Sequence, residues 1–178
     1  MVGERLDVTE NLYERRKQWR LLWLSSLSEI ADIEMQKATW LNINPITWNP
    51  HYTFLEFIIS YIESIEITFG VFEDRADYIS QASPVLTYHV SNGLITNDEL
   101  EAVGNLHAMI CAYRPPNDDY YDHEGIIDDC NWQAVVAAAA TARSRLMSLI
   151  LDSSELHTLA QPSIHALQAA RQKLPKKR

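Results

Sequence analysis

The chain has 178 residues, 47% of them hydrophobic, and a formal charge of −9, which suits one globular domain and excludes intrinsic disorder. Residues 21–142 carry eighteen Asp and Glu against only Lys37, Arg75 and Arg114, whereas residues 1–20 sum to +1 and residues 143–178 to +5. A body of that sign repels nucleic acid, whose phosphates need clustered Lys and Arg, and attracts basic protein surfaces or divalent cations.

From the N-terminus, Leu12, Trp19, Trp23, Leu27 and Ile30 share one helical face and predict a long helix from about Val8 to Ala38. Asp7-x-x-Glu10 reads as its capping box, and Arg15, Arg16, Lys17 and Arg20 lie off the stripe. The stretch "NINPITWNPH" breaks that helix, and Asn49-Pro50 starts a second one, to about Phe69. Its circumference is mostly apolar, so it is expected at the centre of the fold. The polar strip that remains holds Glu56, Glu63 and Glu66. No signal peptide is expected, and because the greasiest run, "FLEFIISYI", is interrupted by Glu56, no membrane span is expected either.

A short helix is predicted over Phe72 to Gln81, and another from Ser83-Pro84 to a stop at Asn92-Gly93. Thr96-x-x-Glu99 is a second capping box, opening a helix whose face is Leu100, Val103, Leu106 or His107, and Ile110, and which ends near Tyr113. Beyond an acidic segment, "WQAVVAAAATARSRLMSLIL" has high helix propensity. Ser153-Ser154 is expected to break it, and a last helix, interrupted or restarted at Pro162, to reach about Leu174. A basic tail follows from about residue 172. Glycine is scarce and no stretch alternates with period two. The expected fold is all-α: residues 1–178 as one helical bundle of about six to seven helices, without internal repeats.

The segment "RPPNDDYYDHEGIIDDC", Arg114 to Cys130, holds six carboxylates and two adjacent tyrosines. As an EF-hand it fails: with Asn117 at loop position 1, Tyr121 takes a ligand position and Asp122 the position that needs glycine. The histidines fall on different elements, no HExxH or CxxC occurs, and the two cysteines, Cys111 and Cys130, make neither a disulfide framework nor a zinc site. They are expected reduced, in the cytoplasm. His123, set among carboxylates, is expected to have a raised pKa and is a candidate acid or base. No nucleophile elbow, phosphate loop or dinucleotide fingerprint is present, so no catalytic residue, metal site or cofactor is assigned. The enzyme alternative is a divalent-metal hydrolase of the all-helical nucleotide pyrophosphatase type. It would use carboxylate pairs such as Glu29-x-x-Asp32, Glu63-x-x-Glu66 and Asp98-x-x-Glu101.

Tyrosine beside carboxylates suits a protein interface, because the ring gives rigid buried area and the carboxylates meet Arg or Lys. The bland reading is a solvated loop with Tyr120 or Tyr121 tucked onto the core. In layout, "TNDELEAVGNLHAMICAYRPPNDDYYDHEGIIDDCNWQAV" resembles the small acidic helical immunity proteins that protect bacteria from colicin-type nuclease toxins. The resemblance carries over Asp119, Tyr120 and Tyr121, covers at most a quarter of the chain, and implies a toxin inhibitor. The expected function is a non-catalytic protein that neutralises a basic partner, most of all a toxin domain, through Asp118, Asp119, Tyr120, Tyr121, Asp122, Glu124, Glu56, Glu63 and Glu66. Neither nucleic acid nor membrane is an expected partner, and the oligomeric state is left open.

Overall fold

The apolar stripe of the first helix is its buried face. In a computed structural model of the chain, which describes residues 3–41, 53–55, 58, 61, 86, 89–91 and 93–161, Trp23, Leu24, Leu27 and Ile30 have no exposed surface. Trp19 stacks on Trp23 with ring centroids 5.7 Å apart. The helices are α1 (Gly3–Ile30), α2 (Ile33–Trp40), α3 (Asn97–Ala112), α4 (His123–Asp128), α5 (Cys130–Leu149) and α6 (Ser153–Ala160), with a 3-10 turn at Pro116–Asp118. No strand occurs among the described residues, and the fold is all-α. The helices expected over 50–69, 72–81 and 162–174 lie largely or wholly outside the described residues, as do Glu56, Glu63 and Glu66.

Three expected boundaries move, each for a local reason. The first helix begins at Gly3, so Asp7 lies inside it rather than capping it. The same helix does not run on to Ala38. Asp32 accepts a hydrogen bond from the Met35 amide at 2.9 Å, which ends α1 at Ile30 and starts α2 as a separate element. Ser153 and Ser154 do not break a helix but begin one. Asp152 caps it by accepting from the amides of Ser154 and Glu155, and the chain turns at Ile150–Asp152 instead.

Other expectations hold. Gly93 has φ +63°, its amide bonds the Val90 carbonyl, and the Leu94 amide bonds the His89 carbonyl. This is the Schellman stop that Asn92-Gly93 implies. The Thr96–Glu99 capping box is complete in both directions, at 3.1 and 2.7 Å. From there α3 buries Val103, Leu106, His107 and Ile110, mainly against the Trp132, Val135, Ala139 and Leu146 face of α5. Because Ala139 and Ala142 are buried, a bulkier side chain at either would overpack the core by about 1–3 kcal/mol. On another side α1 packs against α5 and α6, and Phe54, Ile58, Tyr61 and Leu86 belong to the same core.

Two polar bridges cross that core. Gln36, fully buried, donates to the carbonyls of Glu29 (3.1 Å) and Ile30 (2.9 Å) and accepts from the Trp132 indole at 2.9 Å. It ties the joint between α1 and α2 to α5 and satisfies carbonyls that the end of α1 leaves open. The second bridge is Arg20. It donates to Glu155 at 2.6 and 2.8 Å, to Glu99 at 2.6 and 3.3 Å, and to the Leu94 carbonyl at 2.7 Å. Burial works against its charge, but the bonds to Glu155 and Glu99 outweigh that, and the guanidinium's pKa is raised. Glu99 and Glu155 each lie in the first turn of a helix, where the dipole favours a carboxylate.

Candidate functional site

The segment after α3 is ordered by its own side chains. Tyr113 leaves the helix in extended geometry, and Arg114 turns back to donate to the carbonyls of Tyr113 (2.8 Å) and Cys111 (3.2 Å), a cation at a helix C-terminus. Asn117 and Asp118 both adopt left-handed backbone, φ +57° and +55°, which Asn and Asp tolerate better than most side chains. Asp119 then accepts from the Tyr121 amide at 2.9 Å, an Asx turn that reverses the chain. Next, Asp122 caps α4 by accepting from the Gly125 amide at 3.0 Å; a Cβ at position 125 would collide with that carboxylate. Asp129 caps α5 at the Asn131 amide (2.9 Å) while its other oxygen accepts from the Tyr113 hydroxyl at 3.0 Å. Burial first, and the Asp129 carboxylate second, hold the Tyr113 hydroxyl above its ordinary pKa.

Beneath the loop is a nest of aromatic rings. Phe54 and Trp132 meet edge to face at 5.0 Å, Tyr113 lies 5.2 Å from Trp132, and Trp40 lies 6.1 Å from it. Tyr120 packs on this nest, 6.2 Å from Phe54, and Ile126 and Ile127 root α4 in the core. His123 lies over Trp40 at 5.7 Å and accepts from the Phe54 amide at 3.4 Å. Its pKa is lowered, which corrects the expectation drawn from its neighbours in sequence. Burial outweighs the Trp40 backbone hydrogen bond and the nearby Asp122 and Asp119. Burial thus disfavours the charged form of the ring.

The two tyrosines therefore separate: Tyr120 points inward and Tyr121 is 68% exposed. The carboxylates separate too. Asp119, Asp122 and Asp129 are engaged by local amides, so their side chains shape the loop first. Asp118, Glu124 and Asp128 are exposed and make no side-chain hydrogen bond or ion pair among the described residues. Beside the loop, the last turn of α3 and the first of α5 enclose an open groove of about 400 Å³, lined by Met109, Ala112, Tyr113, Arg114, Asn131 and Val135. Sequence reasoning missed that groove, which exists only where two helices meet.

Of the three carboxylate pairs, Glu63 and Glu66 lie outside the described residues. No group of three or more His, Cys, Asp or Glu suited to a metal ion occurs among the described residues. Glu29 closes α1 whereas Asp32 caps α2, so that pair does not share one helix. Asp98 and Glu101 do share α3, both exposed, with Glu101 facing Arg145 at 3.9 Å. Sequence reasoning also missed the Arg20 bridge, although Asp152-Ser-Ser-Glu155 repeats the Thr96-x-x-Glu99 spacing and marks both carboxylates as helix-start residues. Among the described residues no helix is long and apolar enough to cross a membrane. Compared with known proteins, the chain matches no family model, no curated protein and no solved structure.

Proposed function

We propose that the chain is a non-catalytic binding protein of the bacterial cytoplasm that captures and neutralises a basic protein partner, a toxin domain of the class that immunity proteins inhibit. The observation that carries this reading is Tyr121. It is held in the open by a loop whose backbone is clamped on both sides, amid carboxylates that nothing described neutralises. A ring presented on ordered backbone loses little conformational entropy on binding, and Asp118, Glu124 and Asp128 would speed encounter with a basic surface. The groove beside Arg114 offers a second foothold for an apolar side chain of the same partner.

The test is protection of growth. The product of the reading frame next to this chain's own is expressed alone and together with the chain, and co-expression is expected to restore growth. A variant combining Tyr121→Ala with Asp118→Lys, Glu124→Lys and Asp128→Lys should fail to protect while melting like the wild type. Equal protection by that variant, or a neighbour that is harmless alone, would defeat the reading. Calorimetric titration with magnesium, manganese and calcium addresses the metal-dependent hydrolase: tight uptake that depends on two or three carboxylates would favour it instead.

A further inference from the structure

Arg114 is the one Lys or Arg between Arg75 and Arg143, in an otherwise acidic stretch of the chain. Its Nη1 donates to the Tyr113 and Cys111 carbonyls at 2.8 and 3.2 Å, which fixes the guanidinium over the end of α3. A guanidinium carries five N–H donors, and among the described residues those on Nε and Nη2 meet no acceptor. Asp129, the acid that caps the facing helix, is committed to the Asn131 amide and the Tyr113 hydroxyl. Asn131 itself is exposed at the start of α5, and its side-chain amide makes no hydrogen bond among the described residues.

These two polar groups line the groove between α3 and α5, whose walls are otherwise Tyr113 and the apolar Met109, Ala112, Ala134 and Val135. At about 400 Å³ it is at the small end of binding clefts. A single cation in acidic surroundings selects by charge. The exposed Asp118 and Asp128 of the connecting loop repel phosphates and other polyanions, whereas one carboxylate matches the planar guanidinium fork and brings only one charge. Ala112, Tyr113 and Arg114 are consecutive, so the apolar and anionic parts of a ligand must lie equally close together, as they do in the last residue of a polypeptide. We propose that the groove captures the C-terminus of a partner polypeptide, its terminal carboxylate on Arg114 and Asn131 and an aliphatic last side chain against Met109, Ala112 and Val135. The proposal rests on the partner reading above, the same molecule meeting Tyr121 with its basic surface, but its test involves the groove alone.

Nuclear magnetic resonance titration of the intact chain tests it, with the peptide acetyl-Gly-Ala-Leu as free acid and as C-terminal amide. The free acid is expected to bind with a Kd of about 1 mM and to move amides 109–114 and 131–135. The amidated peptide, and the free acid on Arg114→Met, should each bind about tenfold more weakly. Should Arg114→Met fail to fold, Ala134→Glu decides: it is a change at an exposed helix position, puts a carboxylate into the groove, and should abolish binding while melting like the wild type. Inorganic phosphate at the same concentration should not displace the peptide. Equal binding of acid and amide, undiminished binding by Ala134→Glu, displacement by phosphate, or no saturable movement of those amides up to about 10 mM peptide would each overturn the proposal. Growth protection without peptide binding sinks the groove alone, and peptide binding without protection sinks the toxin reading alone.

Discussion

Two charged regions of this molecule invite comparison: the Arg20 bridge and the 114–130 loop. Both are built on helix starts, and both owe their geometry to carboxylates that accept backbone amides. They differ in what is left over. At the bridge, the five Arg20 hydrogen bonds all end on oxygens of Glu99, Glu155 or Leu94, and both carboxylates are buried. On the loop, Asp118, Glu124 and Asp128 remain outside the local network, and Tyr121 stands exposed beside them. Charge that is closed on itself holds helices together. Charge left open on a fixed backbone is available to a partner.

The strongest blow to this contrast falls on the bridge. Arg20→Met should lower unfolding stability by about 3–5 kcal/mol, because two buried carboxylates would face each other without a cation. Urea denaturation measures it. Adding Glu99→Gln and Glu155→Gln should recover part of the loss, and a loss under about 1 kcal/mol for Arg20→Met would show that the bridge is not closed.

Glu29 sharpens the comparison from the other side, as a half-buried carboxylate with no such cation among the described residues. Its folded pKa, about 7, lies above its ordinary 4.5, so the folded protein holds this proton more tightly than the unfolded chain. Its stabilising contribution is complete below about pH 4.5 and is lost as pH rises through 7. Across that window the wild type should lose up to about 3 kcal/mol relative to Glu29→Gln, read as diverging melts from pH 5 to pH 8. Parallel curves would mean that Glu29 is solvated.

The adjacent tyrosines divide the loop itself. Tyr120→Ala should cost roughly 2 kcal/mol of stability by removing a ring from the aromatic nest. Tyr121→Ala should change stability by no more than about 0.5 kcal/mol yet weaken partner binding by roughly 2 kcal/mol, mostly through faster dissociation. Thermal melts and surface-binding kinetics on the same two variants decide it. If Tyr121→Ala melts early and binds normally, the loop is only structural.

Smallest are the open carboxylates. Asp128→Asn or Glu124→Gln should leave stability within about 0.5 kcal/mol and slow association at low salt, with the difference fading toward 1 M salt. Asp122→Asn, by comparison, retains a side chain able to cap α4 and should be nearly silent in both assays.

What the sequence by itself determined is everything carried by short-range rules. The stripe of Trp19, Trp23, Leu27 and Ile30 reads as a buried face because helix geometry repeats every few residues, and it is buried. Thr96-x-x-Glu99 and Asn92-Gly93 announce a start and a stop because the bonds they make lie within a few residues of each other. The tertiary structure decided the fate of each charge. Arg20 stands among Arg15, Arg16 and Lys17 as one more base off the apolar stripe, and only the approach of α3 and α6, 79 and 135 residues away, makes it a half-buried bridge between helices. His123 reads as a charged neighbour of acids until Trp40 and Phe54 close over it and burial wins. Tyr120 and Tyr121 are indistinguishable as letters, and it is the turn at Asp119 that sends one ring inward and leaves the other to solvent. Desolvation depends on what lies across space, which no spacing along the chain encodes.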